Sequence, residues 1–268
     1  MVAPLLSVQG SIVSLLSPRA DDALGERFAR LRAEAALFTR DHVLSLVSHD
    51  LRSPLNAIHS WAYVLASHCD ASDAAAQRAL TGIRTGVEQQ VKLLEELVDS
   101  TRAQTKALVL SRAPFLLAPL VERVADEVRV MLANARGVSV STVSPLDAES
   151  LNGDHERFAQ ALWTMLIFAV EASAPGGEVT LGSTINSGQW QVELTYAMSF
   201  AALGSAELPH AFEPFACKQA MHPREAGRIA WALALPQRVV TAHGGVLMQS
   251  TAANGETSTL ALRVPLVA

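Results

Sequence analysis

The 268 residues are 50% hydrophobic and 18% charged with a formal net charge of -5, which calls for a packed chain and makes nucleic acid no default partner. The two cysteines, Cys69 and Cys217, lie far apart without CxxC spacing. That excludes a disulfide framework or a zinc knuckle and reads as ordinary buried thiols in a reducing, cytoplasmic compartment.

Residues 1–23 open with VAPLLSVQGSIVSLL, an apolar stretch that is short, interrupted by Gln9 and Gly10, and without basic residues ahead of it. It reads as a leader, neither a signal peptide nor a membrane span, so no transmembrane segment is expected. Over 24–106 the pattern is helical with one break at HCDASD, where Asp70, Ser72 and Asp73 offer turn and N-cap oxygens. On the first helix Phe28, Leu31, Ala35 and Phe38, then Val47, Leu51, Leu55, Ile58, Ala62 and Leu65 fall at steps of three and four. On the second, Leu80, Ile83, Val87, Val91, Leu94 and Val98 repeat that spacing. One hairpin cannot bury both stripes, so a homodimer forming a four-helix bundle is the economical solution.

Over 107–268 the periodicity is mixed. PFLLAPLVERVADEVRVML reads as a helix, GVSVSTV as a strand, and DHERFAQALWTMLIFAVEAS as a helix apolar nearly all round and hence buried, stopping at Ala174-Pro175-Gly176-Gly177. EVTLGSTI and QWQVELTY read as a hairpin around Asn186-Ser187-Gly188, and GGVLMQS with TSTLALRVPL as another. The fold class is therefore α + α/β, a helical hairpin followed by an α/β sandwich.

Among the 8 histidines, His49 stands out by its phase. At about 100° per residue it points roughly 160° away from both Val47 and Leu51, opposite the apolar stripe and open to a donor. Imidazole is a nucleophile near neutral pH provided one ring nitrogen is free, a tautomer that a neighbouring carboxylate can fix. Pro54 removes a helical N–H and clashes with the carbonyl of Asp50, so a bend is expected just after the site. Ser53 and Asn56 lie within about 40° of His49 and face the same partner. His42, His49, His59 and His68 include no i, i+4 pair, so no metal site is expected.

Ser48-His49-Asp50-Leu51-Arg52-Ser53-Pro54-Leu55 resembles the H box of two-component sensor histidine kinases. The resemblance implies that His49 carries a phosphoryl group and that Asp50 bonds its other ring nitrogen and acts as the base. It also implies that Ser53 occupies the family's phosphatase position, where serine replaces the usual threonine or asparagine. Arg52 and Asn56 would face a docked receiver domain. Asp154 to Gln160, Pro175-Gly176-Gly177, Phe212-Glu213-Pro214-Phe215 and Ala242-His243-Gly244-Gly245 resemble, in order, further anchors of that family. They imply its ATP-binding sandwich of the GHKL or Bergerat type.

The residues that hold ATP in the family are replaced here. Counting from the anchors, the two asparagines fall at Thr164 and Phe168, and phenylalanine offers magnesium no ligand atom. The first glycine box falls at Tyr196 to Phe200, with Tyr196 for the aspartate and Met198 and Phe200 for glycines. The second falls at Gly227 to Ala232, where only Gly227 remains glycine and Arg228 and Ala230 are among the degenerate positions. Pro236 enters the following helix. The implied protein is a homodimeric histidine phosphotransferase relaying phosphate between receiver domains of response regulators, with a cognate kinase upstream and no cofactor of its own. An ATP-dependent kinase, autophosphorylating or phosphorylated in trans, stays open and would need ATP and Mg2+. So does a non-catalytic regulator that docks a kinase or receiver.

Overall fold

The computed structural model describes residues 18–70, 72–102, 108–221, 229–251 and 257–266. The expected leader lies outside the described residues as far as residue 17, and so does the boundary at Lys106. The chain runs through α1 (Pro18–His68), α2 (Ala74–Arg102), β1 (Ala113–Leu116), α3 (Leu117–Val128), a π turn (Arg129–Ala133), α4 (Asn134–Arg136), β2 (Ser139–Val143) and β3 (Ser150–Gly153). It continues through α5 (His155–Glu171), β4 (Glu178–Asn186), β5 (Gln189–Tyr196), α6 (Phe200–Leu203) and α7 (Pro214–Met221). A 3-10 turn (Trp231–Leu233), α8 (Ala234–Ala242), β6 (Val246–Thr251) and β7 (Ser258–Pro265) complete it. Among the described residues no helix is long and apolar enough to cross a membrane.

The turn between α1 and α2 uses the acceptors the sequence offers. Asp70 Oδ1 accepts from the backbone N–H of Ser72 at 2.9 Å and its hydroxyl at 2.8 Å. Asp73 caps α2, its Oδ1 accepting from the N–H groups of Ala75 and Ala76, both at 3.0 Å. α1 runs through Pro54 without a break in its helical assignment. The missing N–H there leaves the carbonyl of Asp50 without its usual helical donor.

The apolar stripe of α1 serves two partners rather than one. Leu31, Ala35 and Phe38, expected to line the bundle, are buried in the core of the second half of the chain. Downstream, Ala62 is buried against α2 along with Leu80, Val87 and Val98, while Val47, Leu51, Ile58, Leu65 and Ile83 stay exposed. The hairpin alone thus leaves an apolar face open to water.

A five-stranded sheet of order β2-β4-β5-β7-β6 forms the second half, parallel between β2 and β4 and antiparallel elsewhere. Both expected hairpins form, with Ser187 and Gly188 at positive φ in the β4–β5 turn. Alternation along β5 turns Trp190, Val192, Leu194 and Tyr196 inward, and the Trp190 indole N–H donates to the buried Ser183 hydroxyl at 3.0 Å. α5 lies under this row. Asp154 caps it by accepting from the Arg157 N–H at 3.0 Å, and every residue from Phe158 to Glu171 is buried.

Two expectations change. Residues 114–116, expected to open a helix, are extended instead, because β1 pairs with β3, a strand 34 or more residues downstream in its register of Ala113 with Gly153 through Leu116 with Ser150. Ala113, preceding Pro114, is biased to extended backbone, and the distant partner stabilises it. The helix begins at Leu117 and passes through the π turn to Gly137, which ends it at φ 65°. Pro236 breaks nothing. It is the third residue of α8, within the first turn, where a backbone N–H has no intrahelical partner.

Candidate functional site

His49 projects from α1 with its side chain 84% exposed. Its Nδ1 lies 3.3 Å from Asp50 Oδ1. An ionised carboxylate only accepts, so Nδ1–H donates and Nε2 keeps its lone pair free for attack. Ser53 and Asn56 are exposed as well. Arg52, expected to stand free for a phosphate, instead reaches across the hairpin to Glu95, Nη2 to Oε1 at 3.2 Å. Both partners are about half exposed, so the pair is weak and a phosphate can displace it. Two turns further along, His59 Nε2 lies 3.7 Å from Glu88 Oε1.

The sandwich is fastened to α1 upstream of this histidine. Phe28 meets Trp163 edge-on at 5.4 Å. Arg27 bonds Glu127 at 3.0 Å and Glu156 at 3.0 Å, and Arg40 bonds Glu213 of the Phe212-Glu213-Pro214-Phe215 segment. Asp41, only 4% exposed, pairs with Arg238 at 3.0 Å, and that guanidinium also sits 5.6 Å over the Phe38 ring. At 1.5 Å of rise per residue, Asp41 precedes His49 by about 12 Å of helix.

Of the positions that the family resemblance assigns to ATP, Thr164, Phe168, Tyr196 and Ala230 are buried. Thr164 is fully buried, its hydroxyl donating to the Gln160 carbonyl at 2.8 Å. Phe168 and Tyr196 are buried too, with ring centroids 6.4 Å apart, and Phe212 meets Phe168 at the same separation. Burial raises the Tyr196 phenol above its ordinary range, with a smaller opposing effect from Gln249. Ala230 is buried and its N–H donates to Gln249 Oε1 at 3.0 Å. Met198 packs against the core from its edge, whereas Phe200, in the place of the second glycine, is exposed at the start of α6. Gly227 and Arg228 lie outside the described residues. A phenyl ring gives magnesium no oxygen, and a buried phenol stands where the resemblance implies an adenine-binding carboxylate.

Beside them is a group that sequence reading missed. Glu171, at the buried end of α5, accepts through Oε1 from the N–H groups of Ala211, at 2.5 Å, and Phe212, at 3.2 Å. Its Oε2 lies 2.8 Å from His210 Nδ1 and 3.6 Å from Cys217 Sγ. Arg136, buried under the same turn, donates to the carbonyls of Pro209, Glu171 and Ala202. Burial, and then the Glu171 charge, push the Cys217 thiol up to about 12, and the hydrogen bond to Glu171 raises His210.

The architecture is a helical hairpin that presents an exposed histidine, followed by an α/β domain with the fold found in histidine kinases. No protein-family model matches the chain. It is 49% identical to a histidine kinase from Burkholderia phymatum STM815 of known crystal structure, covering 91% of this chain and 99% of that one with a TM-score of 0.74. The chain belongs to the two-component histidine kinase family. It is also 27% identical to the sensor protein DivL of Caulobacter vibrioides over 238 residues, 88% of this chain and 29% of that protein. With the histidine-protein kinase BaeS of Escherichia coli it shares 24% identity over 264 residues, 96% of this chain and 54% of that one. The chain thus spans between about a third and half of these curated relatives.

Proposed function

We propose that the chain is a phosphorelay protein in which His49 takes a phosphoryl group from the phosphoaspartate of one response-regulator receiver and passes it to another, without binding ATP. The observation that carries this reading is the pairing of an exposed, oriented His49 with a sandwich whose magnesium and adenine positions are buried aromatics. In the forward step Nε2 attacks phosphorus, the N–P bond forms and the acyl P–O bond breaks, returning the receiver's carboxylate. Nδ1 keeps its proton, and Asp50 stabilises the positive charge that develops on the ring. A second receiver's carboxylate reverses the step. The exposed stripe of Val47, Leu51, Ile58 and Ile83 supports a homodimer closing a four-helix bundle.

The test is transfer of label from a phosphorylated receiver to the chain, with His49→Gln as control. Label on the wild type and none on the variant is the expected outcome, whereas equal transfer by both sinks the reading. The name of the 49% identical relative favours a second reading, an ATP-dependent kinase. Incubation with labelled ATP and magnesium separates the two, and incorporation at His49 would establish the kinase instead.

A further inference from the structure

We propose that Glu171, His210 and Cys217 form a binding site for one zinc ion. The three ligand atoms, a carboxylate oxygen, an imidazole nitrogen and a sulfur, all lie within 4.8 Å of one another. This nitrogen, oxygen and thiolate set suits zinc rather than magnesium or calcium. Tetrahedral zinc, with bonds of about 2.3 Å to sulfur and about 2.0 Å to oxygen, places those two atoms about 3.5 Å apart. Sγ of Cys217 and Oε2 of Glu171 are 3.6 Å apart. Nitrogen and oxygen ligands stand about 3.3 Å apart in the same geometry. The observed 2.8 Å between His210 Nδ1 and Glu171 Oε2 therefore needs to widen by a fraction of an ångström. His210 sits between α6 and α7, outside any helix or strand, and can give that much.

The surroundings are those of a built site. His210 Nε2 lies 2.8 Å from the Ser205 carbonyl, which holds the ring with Nδ1 turned to the cluster, the usual outer support of a zinc-bound imidazole. Oε1 of Glu171 is occupied by the N–H groups of Ala211 and Phe212, so Oε2 is the oxygen left to bind metal. With both ring nitrogens facing acceptors, His210 is an imidazolium, and Zn2+ enters by replacing two protons. One leaves Nδ1 and one leaves the Cys217 thiol, and the cluster's net charge is unchanged. The fourth position opens on a cleft of about 330 Å3 lined by His210, Cys217, Phe212, Pro214 and Met221, through which the ion and a water enter. Bound zinc ties the end of α5 to α7 and to the loop between α6 and α7, independently of the relay at His49.

The full chain, stripped with chelator, is titrated with zinc chloride and, separately, with cobalt. One equivalent per chain is expected, with a thiolate-to-cobalt absorption band and a rise in melting temperature. Cys217→Ser should abolish the band and weaken binding at least about 10-fold. X-ray absorption on the zinc-loaded wild type needs no variant and should give one sulfur at about 2.3 Å with nitrogen or oxygen at about 2.0 Å. An all-nitrogen-and-oxygen shell, or uptake that Cys217→Ser leaves unchanged, overturns the assignment, as does failure to take up a stoichiometric ion.

Discussion

Asp50 meets His49 through a single 3.3 Å contact between two exposed side chains. Such a pair adds little to folding stability, so in the proposed relay its value is chemical: it selects the tautomer and stabilises charge on the phosphorylated ring. Asp50→Asn keeps an acceptor but loses the charge. It should slow single-turnover transfer from a phosphorylated receiver by about 100-fold without moving the melting temperature; an unchanged rate removes Asp50 from the mechanism. His243 is the opposite case, buried and structural. Its Nδ1–H donates to the Val239 carbonyl at 2.8 Å and its Nε2 accepts the Asp154 N–H at 3.1 Å, so the ring is neutral. Burial lowers its pKa from 6.5, the Val239 carbonyl opposes that, and smaller effects come from Arg112, which lowers it, and Asp154, which raises it. Because the unfolded chain binds this proton more readily, its contribution is present above pH 6.5 and is lost as pH falls through the depressed folded value. The drop in melting temperature from neutral to acid pH should be smaller in His243→Gln than in the wild type, and equal drops would place the acid sensitivity elsewhere. The exposure of His49 on a long helix was legible because its eight-residue signature is local to that helix. The set of Glu171, His210 and Cys217 was not, since its members meet across 39 and 46 residues and no local pattern encodes such a contact.

The register of each long element was readable, but its partner often was not. The β4–β5 hairpin was read around its Asn186-Ser187-Gly188 turn, and the all-apolar α5 declared itself buried. The spacing of Leu31, Ala35 and Phe38 equally foretold a buried helical face, yet spacing says only that a face is covered and not by what. Those residues complete the sandwich core. β1 escaped for the same reason, four residues whose extended form depends on β3. Phe38, under the Arg238 guanidinium and beside the Asp41 pair, is the sharpest probe of the dual use of α1. Phe38→Ala should cost about 3–5 kcal/mol in urea denaturation followed by the buried Trp163. If the residue lined only the bundle, the transition of that tryptophan would not shift.

Because α1 carries both His49 and part of the sandwich core, the two halves share one continuous helix and should lose structure together. The fastening is apolar at Phe28, Leu31, Ala35 and Phe38, and ionic at Arg27, Arg40 and Asp41. The Arg40–Glu213 pair is largely exposed and adds little, whereas Arg27–Glu127 and Arg238–Asp41 are mostly buried and poorly screened, so salt should weaken the coupling only slightly. Helicity, dominated by the hairpin, and Trp190 emission, which reports the sheet, are then expected to melt at one midpoint. Separate midpoints would mean that α1 does not join the halves. The open face of Val47, Leu51, Ile58 and Ile83 adds a second expectation at this scale. If a second copy covers it, folding is linked to association, and the common midpoint must rise with protein concentration. Replacing Leu51 and Ile58 with serine should remove that dependence while leaving Trp190 buried, because neither side chain belongs to the sandwich core. A midpoint indifferent to concentration in the wild type would leave the stripe uncovered and require a different partner for it.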